Sequence, residues 1–316
     1  MSRLKHHFNN LKQTLCNFGY TLSYLESNLN DLDLFYDAMF PELETVTSES
    51  ATSWIYSRKM RSTKALQERI SSVKYLSEYL NSLGIEAFIP DIKVGRSFHK
   101  RPQMMNDGQL QRFFAAADGL KPCVASPNRE LVAPVLFRLI YSCGLRNSEA
   151  CLIRMEDVDL QCGIIRIIHS KGDKDRVVYM CRQMADLCRR FDNVCATKHP
   201  GRKYFFQLSA ERFHPTKHNV DDWFDLLLGI AHLDNEFCDK PTVHGLRHLF
   251  AVKSMKACLS QGENFENWIK YLSKYMGHES VRETMYYLHM VEALIPEYRK
   301  AIEVITKGIG VVHEEF

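Results

Sequence analysis

Nowhere in the 316-residue chain does an apolar run approach the roughly eighteen residues a helix needs to cross a bilayer. The start, Met-Ser-Arg-Leu-Lys-His-His, also lacks the apolar stretch of a secretory signal, so a cytosolic protein without membrane contact is expected. Ten cysteines occur, at 16, 123, 143, 151, 162, 181, 188, 195, 238 and 258, but they form no Cys-x-x-Cys pair and no zinc-type spacing. Neither a disulfide framework nor a metal is expected, and the thiols read as small buried hydrophobes. Also missing are Gly-x-x-x-x-Gly-Lys-Ser/Thr, Gly-x-Gly-x-x-Gly, His-Glu-x-x-His and Gly-x-Ser-x-Gly. ATP, nicotinamide and zinc-hydrolase chemistries lose their usual signatures with them, and no cofactor is expected. Strong net charge is absent too, at +3, which argues against a uniform polycation. What is present, 45% hydrophobic and 25% charged residues, is globular composition, at a length that suggests two domains.

The charge is unevenly placed. From Leu15 to Tyr56 there is no Lys or Arg, while Glu26, Asp31, Asp33, Asp37, Glu42, Glu44 and Glu49 accumulate. Arg58, Lys59, Arg61, Lys64, Arg69 and Lys74 then follow, inside a helical pattern with Leu66, Ile70, Val73, Leu76 and Leu80 as its apolar members. That cationic face is either ordinary solvated surface or one side of a grip on a phosphate backbone. Residues 85–103 favour the second reading, because they lack helical period, contain Pro90 and Pro102, and carry Lys93, Arg96, Lys100 and Arg101 as a basic linker.

Beyond the linker, Asn106 or Asp107 can cap a helix through Ala117, and Asn128 can cap another that Gly144 stops after Cys143. Asn147 to Arg154 makes a short third. Residues 163–169 and 176–179 are β-branched strands joined by a hairpin turn with Gly172 near its tip. Helical patterns then dominate, at 183–193, 217–232, 243–258, 265–276, 281–289 and 292–306, so a mainly α domain with one small antiparallel sheet is expected. Glu156, Asp157 and Asp159 fall in an apparent solvated turn, where a two-metal nuclease would need carboxylates converging from separate elements.

Four polar groups remain. In Gly144-Leu-Arg-Asn-Ser-Glu149, Arg146 and Glu149 lie three apart on one helical face, as a surface ion pair or part of a site. Lys171 sits on the hairpin, as an exposed turn lysine or a mobile proton donor. In His244-Gly-Leu-Arg-His248 the first histidine and Arg247 project together from an otherwise apolar helix, where a buried arginine without an anion would be costly. Finally, Ser280-Val-Arg-Glu283 matches a capping box, which puts His278 on the preceding loop and Tyr287 two turns inside the helix. Tyr286, about 100° around that helix, points elsewhere. Together the groups fit attack on a phosphodiester. Arg146, His244, Arg247 and His278 supply cations and donors to the non-bridging oxygens. The Tyr287 phenol, ordinarily of pKa about 10, is activated beside those cations, and Lys171 protonates the departing oxygen. Glu149 orients Arg146 or its neighbours.

These motifs stand in the order of a known family. Gly-Leu-Arg-x-x-Glu, Lys-Gly-x-Lys-x-Arg, His-x-Leu-Arg-His, and Met-Gly-His with Tyr nine residues beyond the histidine make residues 105–300 resemble the tyrosine recombinase (phage integrase) family. The resemblance implies Arg146, Lys171, His244, Arg247 and His278 as the activating set and Tyr287 as nucleophile, with Glu149 in support. Residues 20–90 are similar, by pattern and position, to the family's helical, SAM-like core-binding domain. The implied layout is an N-terminal extension (1–20), that helical domain (21–88), a basic linker (89–104), a catalytic domain (105–291) and a C-terminal helix and tail (292–316), closing as a C-shaped clamp on DNA. The first segment, with Arg3, Lys5, His6, His7 and Lys12, is a DNA-contacting extension or simply an extra helix, and the last packs on its own domain or docks on a neighbouring protomer. The insert from Cys258 to Lys274 and the phrase Leu-Ser-Lys-Tyr-Met-Gly-His are similar to integrases of transposons. The resemblance implies double-stranded DNA with inverted-repeat core sites as partner and a homotetramer on that DNA, with or without a second recombinase. It implies a 3′-phosphotyrosyl intermediate and a Holliday junction, and integration or excision of a mobile element as the purpose. The alternatives are monomeric type IB topoisomerase-like strand passage and a catalytically silent DNA-binding accessory factor.

Overall fold

In a computed structural model the described residues are 2–17, 23–59, 62–95, 102–168, 175–261 and 264–294. The chain divides into two compact units, Met1–Lys100 and Arg101–Phe316. Four helices build the first: α1 (Lys5–Asn17), α2 (Ser23–Met39), α3 (Ser48–Ile55) and α4 (Thr63–Ser82). Leu4, Phe8, Leu11 and Leu15 recur at helical spacing and are buried with Leu25, Leu29, Leu32 and Tyr36 of α2 and Val73, Leu76 and Leu80 of α4. The first segment is therefore an integral helix of this core rather than an extension beside it.

The inversion of charge along this unit is resolved partly within it. Asp31 of the acidic stretch accepts from Arg58 at 2.6 Å, from Arg69 at 3.2 Å and from the Trp54 indole at 3.1 Å. Arg69, expected on the cationic face, is instead 5% exposed. Its guanidinium lies 3.7 Å over the Trp54 ring and donates to the Trp54 carbonyl and, at 2.9 Å, to Ser57 Oγ. Its position one residue before Ile70 turns it inward, where the indole and Asp31 take up a charge that water would otherwise solvate. Lys59, Lys64 and Lys93 are exposed, whereas Arg61, Arg96, Lys100 and Arg101 lie outside the described residues. Arg69→Ala is expected to lower the unfolding free energy by on the order of 3 kcal/mol in urea while leaving the salt dependence of DNA binding unchanged. Unaltered stability with a shallower salt slope would restore Arg69 to the phosphate-contacting set.

The second unit begins with α5 (Asp107–Asp118), α6 (Arg129–Cys143) and α7 (Asn147–Cys151). Asn106 caps α5 reciprocally with Gln109, but Asn128 does not cap α6. It sits at φ 57° and directs its amide to His199 and to the Leu208 carbonyl at 2.6 Å. Gly144 ends α6 at φ 65°, and a Cβ there would stand 2.4 Å from the Phe250 ring, so both backbone and space require glycine.

A three-stranded antiparallel sheet follows, in the order β1 (Val158–Asp159), β2 (Ile164–Ile167) and β3 (Arg176–Tyr179). Ile165 stands opposite both Val158 and Val178. The third strand, β1, arises where a solvated turn was expected. Met155, Val158 and Leu160 pack against the core, leaving Asp157 8% exposed, while Asp159 caps the turn into β2 by accepting from the Gln161 and Cys162 N–H groups at 2.9 Å. The hairpin tip with Lys171 and Gly172 lies outside the described residues.

Helices α8 (Arg182–Lys198), α9 (Lys217–Ile230), α10 (Val243–Gln261), α11 (Phe265–Met276) and α12 (Val281–Leu294) complete the unit. The stretch expected as an insert, 258–274, is the end of α10 and most of α11. Residues 295–316, with most of the expected C-terminal helix, lie outside the described residues. Met255, Ile269, Leu272, Met276 and Tyr287 form one apolar cluster that binds α10, α11 and α12 together. Only five of the ten cysteines (143, 151, 188, 195 and 258) are buried, while Cys16, Cys162, Cys181 and Cys238 are exposed. Among the described residues no helix is long and apolar enough to cross a membrane, and no group of three His, Cys, Asp or Glu side chains could hold a metal ion.

Candidate active site

The C-terminal end of α11 gathers the arginines. A helix leaves its last carbonyls without internal partners, and its dipole favours cations there. Three successive carbonyls receive three guanidiniums: Tyr275 from Arg176 Nε at 2.8 Å, Met276 from Arg247 Nη2 at 2.6 Å, and Gly277 from Arg146 Nη2. Gly277 turns at φ 67°, and a Cβ on it would come within 3.0 Å of Arg176 Nη1 and 3.3 Å of Arg146 Nη1. The glycine of Met-Gly-His thus lets the backbone pass close under the cations.

Glu149 is their common anion. From the first turn of α7 it accepts the Arg146 N–H and Arg146 Nη1, both at 2.8 Å. It also takes both terminal nitrogens of Arg176, at 2.8 and 2.7 Å. Burial alone would raise this carboxyl, but the hydrogen bonds and charge of Arg176, then those of Arg146, hold it at about 2. Arg176 carries no role from sequence beyond its place in Lys-Gly-x-Lys-x-Arg. Its side chain, 6% exposed on β3 beside Glu149, goes unannounced in the sequence, because Val177, Val178 and Tyr179 are apolar on both faces of the strand and do not show which face Arg176 takes.

Arg247 is 1% exposed on α10 and donates to the Gly144 carbonyl at 2.7 Å as well as to Met276. Tyr287, 3% exposed, meets this cluster from α12: its phenol oxygen lies 3.1 Å from His248 Nδ1, within the influence of the Arg247 charge. The His278 ring stacks on that of Tyr287 with centroids 6.0 Å apart, and its Nδ1 pairs with the buried Thr284 hydroxyl at 2.6 Å. His244 packs edge-on against His248 at 4.4 Å. Tyr286 is 42% exposed, with its ring edge-on to that of Tyr287 at 6.1 Å. Helix α12 does start at Val281, although the Glu283 carboxylate accepts from the Glu279 N–H rather than closing the capping box on Ser280. Five of the six sequence-derived catalytic candidates, with Glu149, therefore lie in one neighbourhood, and the sixth, Lys171, lies outside the described residues.

The electrostatics differ from expectation in two respects. Burial, and then the guanidiniums of Arg247 and Arg146, push His244 down to about 4, although the residue itself is exposed to solvent and so holds this shift less firmly than His248 and His278 hold theirs. The same causes push His278 to about 3, and burial with His244 and Arg247 does the same to His248. The histidines are thus neutral hydrogen-bonding groups near pH 7, and the fixed positive charge comes from the arginines. Tyr287 is raised above its ordinary value by burial, which outweighs the lowering by Arg247 and Arg146, so the phenol rests protonated rather than as the phenolate.

A stability consequence follows. Each histidine titrates near 6.5 when unfolded and well below that when folded, so its contribution is complete above pH 6.5 and is lost as pH falls towards 4 to 3. The urea midpoint is expected to decline across that window, and His278→Gln is expected to flatten the decline. A midpoint level from pH 7 to 4 would show that the rings protonate freely in the folded protein.

Guanidiniums and neutral histidines around one phenol, on a helical frame with a small sheet, define a site suited to phosphoryl transfer to tyrosine. The phage integrase family matches residues 103–293, and the chain belongs to that family, the tyrosine recombinases. A tyrosine recombinase of Pseudothermotoga lettingae is 27% identical over 237 residues, 74% of this chain and 73% of its own. Among solved structures, the Tn1549 transposon integrase bound to transposon right end DNA superposes with a TM-score of 0.62 at 16% identity, over 89% of this chain and 94% of that one. The lambda integrase tetramer bound to a Holliday junction gives 0.60 at 16% identity, over 88% and 77%. These likenesses show the fold.

Proposed function

We propose that this tyrosine recombinase performs site-specific strand exchange between two DNA duplexes, with Tyr287 as the nucleophile. The observation that carries the reading is the Tyr287 phenol, bonded to His248 and under the charge of Arg247, beside an Arg146 that Glu149 anchors. Arg146 and Arg247 take the non-bridging oxygens of the scissile phosphate, and the neutral histidines donate to the charge that builds there. As Tyr287 Oη bonds to phosphorus, its proton passes to water and the bond from phosphorus to the 5′ oxygen breaks. That oxygen takes up a proton from Lys171, a role that rests on the resemblance. The resulting 3′-phosphotyrosyl ester keeps the energy of the broken bond, so attack by the 5′ hydroxyl of the partner strand is nearly isoenergetic and needs no ATP.

Exposed Lys59, Lys64 and Lys93 on the first unit are suited to backbone phosphates. Inverted-repeat core sites, a homotetramer on DNA, with or without a second recombinase, and mobility of a genetic element complete the reading. The last two are supported by the tetrameric lambda integrase and the transposon integrase among the structural neighbours. The test is a nicked suicide substrate built on a site selected from random DNA. Wild type is expected to trap a covalent adduct and Tyr287→Phe none. An undiminished adduct with the phenylalanine variant, or none with wild type, rejects the reading.

A further inference from the structure

Besides the groups the proposed reaction uses, one side chain touches the nucleophile's oxygen directly. His248 Nδ1 lies 3.1 Å from Tyr287 Oη, and the two ring centroids are 5.3 Å apart. With the imidazole proton on Nε2, His248 Nδ1 presents its lone pair to the Tyr287 O–H and accepts from it. The rings on either side limit the alternatives, with His244 packed edge-on at 4.4 Å and 84° on one face of the cluster. Helix α12 cannot readily carry the phenol away, since Thr284 is wholly buried and Tyr287 belongs to the apolar cluster shared with α10 and α11.

From this geometry we infer that His248 is a positioning residue of the cleavage reaction: it accepts the Tyr287 hydroxyl and keeps its oxygen, lone pairs outward, on the Arg247 side where the scissile phosphorus would enter. Its imidazole stays neutral, as its strongly lowered pKa also requires, so it aims the phenol rather than adding charge. The inference rests on the reading of Tyr287 as nucleophile.

The acceptor atom makes it testable, because an asparagine places its amide oxygen near Nδ1 of the histidine it replaces, whereas a glutamine reaches the Nε2 position and a leucine offers no acceptor. In single-turnover cleavage of the suicide substrate, His248→Leu and His248→Gln are expected to form adduct about tenfold or more slowly, with His248→Asn recovering most of the rate. DNA affinity and the urea midpoint, measured alongside, are expected to move little among the three. Independently of cleavage, the ¹⁹F resonance of 3-fluorotyrosine installed at position 287 is expected to shift in the leucine variant and to stay in place in the asparagine variant. Equal rates in all three variants, losses that follow DNA affinity or stability, or a ¹⁹F signal indifferent to the substitutions would overturn the positioning role. A wild type that forms no adduct overturns the Tyr287 reading instead, and the ¹⁹F comparison still decides whether His248 holds the phenol.

Discussion

Arg247→Lys is expected to slow adduct formation on the suicide substrate by about 10²–10³-fold, the usual consequence of losing one fixed donor from a charge-stabilising site. Arginine is required at 247 by three simultaneous tasks. It joins the carbonyl of Gly144, where α6 ends, to that of Met276, where α11 ends, at 2.7 and 2.6 Å, and its charge still acts on the Tyr287 phenol. A lysine ammonium is a point donor and cannot span two helix ends while facing a third group. Arg247 also carries charge that its surroundings balance loosely. Its contact with the Glu149 carboxylate is 4.0 Å long, and burial, with Arg146 nearby, lowers its pKa to about 10, still leaving it a cation at neutral pH. A scissile phosphate would complete that balance. Because other contacts to DNA remain, affinity is expected to fall only a few-fold, with the salt slope reduced by about one. A rate within tenfold of wild type would mean that any cation at this position suffices.

The site was more legible in the sequence than the fold that carries it. Gly144 before Arg146 and Gly277 before His278 are each a left-handed helix stop followed by a side chain of the cluster, while Arg247 and Tyr287 stand in short motifs within single helices, and such geometry is written within a few residues. What the sequence left out depends on distant partners. Arg69 reads as surface because its neighbours 58, 61 and 64 are basic, and only Trp54 and Asp31, brought beside it by α2 and α3, show that it turns inward. The β1 strand is two residues long and exists through its pairing with Ile164 and Ile165. The neutrality of the histidines, likewise, follows from burial and from three guanidiniums drawn together by the end of α11, which no single motif records. His248 is the clearest case: nothing beside it in the sequence gives it a task, and its bond to Tyr287 spans 39 residues.

Glu149→Gln is expected to lower the unfolding free energy at pH 7 by on the order of 3 kcal/mol and to reduce cleavage at the same time. The carboxylate is 5% exposed and accepts four hydrogen bonds, three of them from guanidinium nitrogens. An amide keeps one acceptor but turns an NH₂ group towards donors, leaving two largely buried guanidiniums without their anion and with like charges nearby. The sign of the pH dependence separates this charge effect from lost packing. Glu149 titrates at about 2 in the folded protein against 4.5 ordinarily, a depression worth on the order of 3 kcal/mol. Being depressed, it contributes fully above pH 4.5 and its contribution is lost as pH falls towards 2. The gap between wild type and Glu149→Gln, measured from urea midpoints, is therefore expected to be constant from pH 7 to about 5 and to narrow below 4.5. A gap that stays the same at pH 3 would assign the loss to shape rather than charge. Since Glu149 anchors Arg146, the cleavage defect of Glu149→Gln should largely vanish in an Arg146→Ala background rather than add to that variant's own loss, and full additivity would mean that Glu149 acts on the reaction by some route other than placing Arg146.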